Sequence, residues 1–249
     1  MKSSKFLFVN QVFLIAYATG VLWLRRNPLS LLFSAITPFS ILFVLLIVSD
    51  GKYSQFAVSG SLVMALVGYG LALGQDIAYY KTEYKIQDIF VASPISPLTY
   101  MTGLALSEIL FGLPALVVLV SIVFYFGFSL SFLPLLIFTI LIIWISTSAM
   151  GFFLSSRMLN MKNATQIISF VNVFLAVLPP VYYTIEILPE WLQYVAYIVP
   201  TTHASLMIQY SMGLKIPENW TIFNGIFVLF FYAVGFVLLA KTKAIWRDR

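Results

Sequence analysis

The sequence of 249 residues contains no cysteine and one histidine, and only 9% of its residues are charged. Without cysteine the chain cannot form a disulfide, a cysteine-ligated metal site or a thiol nucleophile, and one histidine is too few for a histidine-built metal site. A soluble globular domain has roughly 25% charged residues, so a soluble fold is excluded. Hydrophobic residues make up 61% of the chain. This composition predicts an all-α polytopic membrane protein and disfavours a redox or metal enzyme.

Uncharged stretches of membrane length recur along the sequence. About 20 helical residues cross a hydrocarbon core of about 30 Å. The long stretch after Glu108 must be divided by a turn, for which Gly127 to Pro134 supplies small, hydroxyl and proline residues. The predicted spans are 29–49, 55–75, 99–125, 132–154, 164–184 and 220–240.

Two further segments have more than one interpretation. Residues 6–24 are apolar but are diluted by polar residues, which favours an N-terminal interfacial helix; a seventh span and a cleaved signal peptide remain alternatives. Residues 186–213 are interrupted by Pro200, which disfavours a straight crossing. We predict a re-entrant outer segment of two short helices before the last span.

Basic residues are unevenly distributed between the predicted loops. Under the six-span topology, twelve fall on one side and two, Lys52 and Lys215, on the other. Because cytoplasmic loops are enriched in Lys and Arg, this asymmetry predicts that both termini are cytoplasmic. The twelve are Lys2, Lys5, Arg25, Arg26, Lys81, Lys85, Arg157, Lys162, Lys241, Lys243, Arg247 and Arg249.

Residues 76–97 form a cytoplasmic loop in this topology. Charged residues alternate there with tyrosine, isoleucine and phenylalanine, which predicts a short surface helix over 77–90 with one face on the bilayer or on a protein. Pro94 and Pro97 end that helix, and Ser96 or Thr99 can cap the span that follows.

Three features of the chain resemble one known family. They are SPISPLTYMTG at 93–103 after the second span, LPEWLQYVAYIVPTTH at 188–203, and an N-terminal amphipathic segment followed by six spans. In these features the chain is similar to the membrane subunit of ABC-2-type ABC transporters, a family that includes drug-export and polysaccharide-export permeases. Ile86-Gln87 and Gln209-Tyr210 stand where the family often has Gly-Thr and an arginine, so the substrate is left open.

The resemblance implies a division of labour between chains. Family members pair two membrane subunits with two ATP-binding subunits, and this sequence has no GxxxxGK[ST] phosphate loop; its only Gly-Lys pair, Gly51-Lys52, is followed by Tyr53. We therefore expect no enzyme activity and no cofactor on this chain, with ATP and Mg bound by a separate ABC ATPase subunit. The other expected partners are a second permease copy or a similar subunit and membrane lipids, without nucleic acid, in the plasma membrane.

The resemblance also suggests roles for individual residues. The helix over 77–90 would be the coupling helix on the ATPase, with Glu83, Lys85 and Asp88 as polar contacts and Tyr84 or Ile86 as packing contacts. The second and fifth spans line the family's central cavity. Carried over to this chain, that gives a substrate pathway lined by Met64, Gly68, Leu71, Gln75, Gln166, Phe170, Val173, Phe174 and Val177.

Glu108 is an acid inside a predicted span. Because a carboxylate there is costly, it should face the protein interior, find a partner or be protonated. Its role is open between substrate or proton handling and a structural role near the cytoplasmic interface. In the second span, Gly70 and Gly74 form a GxxxG pattern that allows close helix packing, either within the chain or between subunits.

The sequence thus predicts a permease subunit of an ATP-driven ABC exporter. The alternative is an ATP-independent channel or a proton-linked carrier, which would explain Glu108 and the missing phosphate loop. An intramembrane enzyme is disfavoured, because the Ser, Asp and His residues show no motif spacing.

Overall fold

Helices account for all regular secondary structure in the computed structural model, which describes residues 4–125, 132–158, 160–214, 216 and 220–244. The described helices are α1 (Ser4–Ala16), a π-helical segment (Tyr17–Val21), α2 (Leu22–Arg26), α3 (Ser30–Val48), α4 (Ser54–Thr82), α5 (Ile86–Ala92), α6 (Pro97–Tyr125), α7 (Leu133–Ser156), α8 (Met161–Ala176), a 3-10 turn (Ile185–Ile187), α9 (Glu190–Ile198), α10 (Pro200–Ser211) and α11 (Ile222–Lys243). The all-α prediction is confirmed. The predicted turn at 127–134 lies largely outside the described residues.

The bundle is organised around α4. Helices α3, α6, α7, α8 and α10 pack against it, and most of its side chains are buried. By contrast, α3 and α11 bury few of theirs, since they lie at the edges of the bundle. The apolar surfaces of these edge helices are the ones that a lipid bilayer can cover.

Among the described residues, six helical runs are long and apolar enough to cross a membrane. They are Phe6–Arg26, Ser30–Val48, Ser54–Thr82, Pro97–Tyr125, Leu133–Ser156 and Ile222–Lys243. Five of these correspond to predicted spans, and the sixth is the N-terminal run instead of 164–184.

The N-terminal run is one nearly continuous helical stretch that packs along α6. A Cβ on Gly103 would lie 2.7 Å from the Ile15 side chain, and one on Gly20 would lie 3.0 Å from Ser107 Cβ. From the first of these contacts to the second, the residue number rises on both the N-terminal run and α6, so the two helices are parallel. The interfacial orientation predicted for 6–24 stays a prediction, and the run has the length and composition of a span.

The fifth predicted span is too long. Helix α8 ends at Ala176 and has 16 residues, which corresponds to about 24 Å. Pro179 and Pro180 follow, and because proline lacks an amide hydrogen it cannot continue the helical hydrogen-bond ladder. Residues 177–184, which were predicted to be part of the span, are therefore not α-helical.

The predicted single helix over 77–90 is also wrong. Helix α4 continues to Thr82, and a separate α5 begins at Ile86. Between them Lys85 adopts the left-handed conformation with φ of 53°, which a right-handed helix cannot contain. The first six residues of the predicted surface helix, 77–82, thus belong to α4.

The outer segment contains the two short helices that were predicted. Helix α9 ends at Ile198 and α10 begins at Pro200, because a proline is tolerated in the first turn of a helix but not inside one. Nearly all of α10 is buried against α4, α7 and α11. Its insertion into a membrane stays a prediction.

Candidate functional site

A cavity of about 590 Å³ lies between α2, α3, α4 and α6, with one residue contributed by α8. From Met64 to Tyr79 it follows α4 for about 22 Å, at 1.5 Å per residue. Its polar lining residues are Thr19, Ser30, Ser34, Thr37, Gln75, Asp76, Glu108 and Asn172. Its aromatic lining residues are Trp23, Phe33, Tyr69, Tyr79, Tyr80, Tyr84 and Phe111.

Three of the nine residues predicted for the substrate pathway line the cavity. Met64, Gly68 and Gln75 on α4 all line it. Leu71, on the other side of the helix, belongs to the apolar core. The predicted residues of α8 lie elsewhere, on an exposed stripe of that helix; they are Gln166, Phe170, Val173, Phe174 and Val177.

Two acids from different helices meet at the cavity wall. Glu108 of α6 is 5% exposed, and it lines the cavity together with Asp76 of α4. Of the alternatives given for Glu108, the structure shows it facing the interior, with Asp76 in the same cavity wall; its role stays a prediction.

A proline in α3 shapes the wall opposite this acid pair. Pro38 has no amide hydrogen to donate to the carbonyl of Ser34, and the Tyr69 hydroxyl donates to that carbonyl at 3.1 Å instead. The ring of Tyr69 packs where Gly112 of α6 has no side chain, since a Cβ there would contact it. Pro38 and Gly112 thereby fix Tyr69 between three helices.

The turn between α4 and α5 exposes a group of charged and apolar side chains. Glu83, Lys85 and Asp88 are exposed, and Tyr84 and Ile89 are 57% and 68% exposed. We call these five residues the turn surface. Tyr84 also packs on Tyr79, with ring centroids 4.5 Å apart. Ile86, predicted as a packing contact, is half-buried, and Ile89 is the more exposed apolar residue.

Helix α5 is anchored to the bundle by its other face. The Phe90 ring lies 5.0 Å from that of Tyr100, and Gln87 is 5% exposed. After the helix, the Ser96 hydroxyl accepts a hydrogen bond from the Thr99 amide at 3.1 Å, which caps α6. The turn surface therefore sits on a fixed base directly beside the cavity end of α4.

The GxxxG glycines of α4 pack within the chain. A Cβ on Gly74 would lie 2.7 Å from the Gly151 carbonyl oxygen of α7, and one on Gly70 would collide with Thr147. Gly68 is different, because no atom lies within 4 Å of the position its Cβ would take. Close packing thus belongs to the α7 side of α4, and the cavity to the opposite side.

The single histidine has both ring nitrogens occupied. The Trp220 indole N–H donates to His203 Nδ1 at 3.1 Å, so Nε2 carries the proton and donates to the Tyr197 carbonyl at 2.8 Å. Burial lowers the pKa of His203, and the bond to Tyr197 opposes part of this shift. The histidine is a structural link between α9, α10 and the segment before α11.

Asp76 is the site residue that sequence reasoning missed. It was placed in the loop after the second span, although positions 64, 68, 72, 75, 76 and 79 recur at the spacing of one helix face. Asp76 and Tyr79 continue this face after Gln75, which indicates that the helix extends beyond the predicted span. Asn172 was also missed; nothing in its local sequence distinguishes it.

Membrane-length helices surrounding a polar cavity with buried acids are typical of membrane transport proteins. A family model described as ABC-2 type transporter matches residues 10–212. The chain belongs to this family, and it is a multi-pass membrane permease subunit of an ABC transporter. No curated protein matches the chain.

Proposed function

We propose that this permease is the membrane subunit of an ATP-driven exporter and that a separate ATPase chain docks on the turn surface. Family membership supports the partnership with an ABC ATPase. The observation that supports this docking site is the turn after Thr82. The left-handed conformation of Lys85 separates α4 from the anchored α5 there, and the charged and apolar side chains of the turn surface are exposed beside it. In the predicted topology this end of the bundle is cytoplasmic.

The position of the turn surface offers a path for coupling. Helix α4 runs without interruption from the turn to the packed centre of the bundle, and the cavity lies along it. Closure of the ATPase on ATP would move α5, and α4 would carry that displacement to the cavity wall. With a second permease copy, this motion would convert an inward-open pathway to an outward-open one.

Charge reversal on the turn surface tests the proposal. Co-purification and ATP hydrolysis would be measured with the ATPase encoded nearest to this gene, in lipid nanodiscs. Glu83→Lys together with Asp88→Lys should reduce co-purification and permease-dependent hydrolysis at least about tenfold, because interfacial like-charge contacts cost several kcal/mol. Glu186→Lys, an exposed change at the other end of the bundle, is the matched control. Unchanged assembly and hydrolysis in the double variant would overturn the proposal.

A proton-linked carrier is the second candidate, and one observation favours it. Acids inside spans are common in proton relays, and Asp76 and Glu108 both line the cavity. A proton gradient that drives substrate flux in liposomes containing this chain without an ATPase would select the carrier. Flux that requires both the ATPase and ATP would select the exporter.

A further inference from the structure

The cavity wall is acidic. Asp76 on α4 and Glu108 on α6 both line it, so the wall holds two carboxyl groups. Among the described residues that line the cavity there is no Lys, Arg or His. A charge buried in a low-dielectric region is costly unless it is paired. The cavity therefore favours an occupant that brings a positive charge.

A second polar group in the cavity lacks a partner. The amide oxygen of Asn172 on α8 is fully buried and accepts no hydrogen bond within the described structure. An unpaired buried acceptor is destabilising. Asn172 is far from the acid pair in sequence, on a different helix, and it lines the same cavity. An occupant with an N–H donor would satisfy this oxygen after a rotation of the amide toward the cavity.

The remaining wall suits a flat apolar body. Seven aromatic side chains line the cavity. The rings of Trp23 and Phe111 meet edge to face with centroids 5.3 Å apart. Aromatic faces attract cations as well as apolar groups. A volume of about 590 Å³ lies within the roughly 300–1,000 Å³ range of small-molecule sites.

We propose that this cavity binds a monovalent organic cation that has an aromatic body and at least one N–H donor. The positive group pairs with Asp76 and Glu108, an N–H donates to Asn172, and the body packs on the aromatic wall. A lipid acyl chain would leave the acid pair and Asn172 unpaired. A bare metal ion is a poorer match, because no group of three or more His, Asp or Glu side chains in the described part of the chain is placed to hold one. The inference rests on the proposed function, for which it supplies a substrate class.

Equilibrium binding to the intact permease in lipid nanodiscs tests the inference. The probe is rhodamine 6G, a fluorescent aromatic cation with N–H groups, read by fluorescence anisotropy against empty nanodiscs. Nile red, an uncharged aromatic dye, reports binding that does not depend on charge. We expect saturable binding of rhodamine 6G and no saturable binding of Nile red.

Two isosteric substitutions should identify the acid pair as the cation site. Asp76→Asn and Glu108→Gln should each weaken rhodamine 6G binding at least about tenfold, because each removes a carboxylate that pairs with the cation. Asp50→Asn and Glu186→Gln make the same chemical changes at exposed positions, and they should leave the dissociation constant unchanged. Equal affinity in all four variants would overturn the inference.

A third variant adds bulk to the cavity and leaves both acids unchanged. Nothing lies within 4 Å of the Cβ position of Gly68, so Gly68→Leu should be accommodated and should occupy the space of the ligand. It should abolish saturable binding while the thermal unfolding temperature is retained. Full binding by Gly68→Leu, or a thermal shift with sodium ions but no rhodamine 6G binding, would also overturn the inference.

The outcome is separable from that of the docking experiment. Binding is measured on the permease alone, without nucleotide or ATPase. Loss of the predicted binding pattern with intact coupling through the turn surface would overturn only the substrate class. The predicted binding pattern with no dependence of ATP hydrolysis on the turn surface would overturn only the docking proposal.

Discussion

The two sides of α4 have similar residues and opposite surroundings. On one side Gly70 and Gly74 bring α4 into backbone contact with α7, and the packed region continues into α8 and α10. On the other side Met64, Gly68 and Gln75 face an open cavity. Two residues correspond to about 200° around a helix, so Gly68 and Gly70 point in nearly opposite directions. A single helix thus joins a rigid half of the bundle to a half with space for a ligand.

The largest effect should come from exchanging glycine for leucine on the packed side. In Gly74→Leu the Cβ alone would lie 2.7 Å from the Gly151 carbonyl oxygen, and backbone cannot move aside as a flexible side chain can. We expect a loss of more than about 3 kcal/mol, at the upper end of overpacking costs, with little monodisperse protein. Size-exclusion chromatography and thermal unfolding in detergent measure this loss.

Gly68→Leu is the matched change on the cavity side. It should purify like the wild type, because its side chain enters open space. If Gly74→Leu and Gly68→Leu were equally stable, the distinction between a packed and an open side of α4 would be wrong.

The next effect concerns the buried histidine of α10. Trp220→Phe removes the N–H that His203 Nδ1 accepts, leaving a buried acceptor unpaired at a cost of about 1–3 kcal/mol. The exposed Trp191→Phe is the control and should cost nothing measurable. Thermal unfolding at pH 8 measures both. Equal unfolding temperatures for Trp220→Phe and the wild type would show that this bond does not stabilise the packed side.

The same histidine predicts a pH dependence of stability. Burial lowers the pKa of His203 below the 6.5 of an unperturbed histidine. The folded state then binds this proton less readily than the unfolded state does, so the stabilisation is complete above about pH 6.5 and is lost as the pH falls through the folded-state pKa. Unfolding temperatures between pH 8 and pH 5 should fall for the wild type and fall less for Trp220→Phe, in which Nδ1 is free to take a proton. Parallel profiles for the two proteins would assign the pH dependence to other groups.

The sequence predicted most of the helices but not which of their faces meet. Spans separated by charges, such as 29–49 and 220–240, agree with α3 and α11 to within about three residues. Asp76 broke this rule, because charge was used to mark the end of a span and here the acid lies within the helix and lines the cavity together with Glu108. Its partner is 32 positions away in sequence, a distance over which no periodicity carries information.

The glycines show the same limit. GxxxG predicts close approach but not the neighbour, and Gly68 has the same chemistry as Gly70 without any contact. Likewise the orphan oxygen of Asn172 depends on how α8 packs beside α4, which local sequence does not specify.

A smaller effect tests how the cavity wall is built. Tyr69→Phe removes the hydroxyl that donates to the Ser34 carbonyl, at a cost of about 1 kcal/mol. In a Pro38→Ala background the restored amide can bond that carbonyl, so Tyr69→Phe should cost less there. A double-mutant cycle by chemical denaturation measures the coupling, with the exposed Tyr53→Phe as the control. An equal cost in both backgrounds would mean that the Tyr69 hydroxyl does not replace the bond lost at Pro38.

The smallest expected effect is a gain, and it is confined to the cavity side. Alanine is about 0.8–1 kcal/mol more favourable than glycine inside a helix, and the added methyl group of Gly68→Ala meets nothing within 4 Å. The substitution should raise the unfolding temperature slightly and should leave rhodamine 6G binding close to that of the wild type, because one methyl group removes little of the cavity. Gly70→Ala, the same change two residues away, should lower the unfolding temperature, since its methyl group collides with Thr147. If the two substitutions shift the unfolding temperature in opposite directions, the boundary between the packed and the open half of the bundle lies on α4 itself. Shifts in the same direction would contradict this boundary.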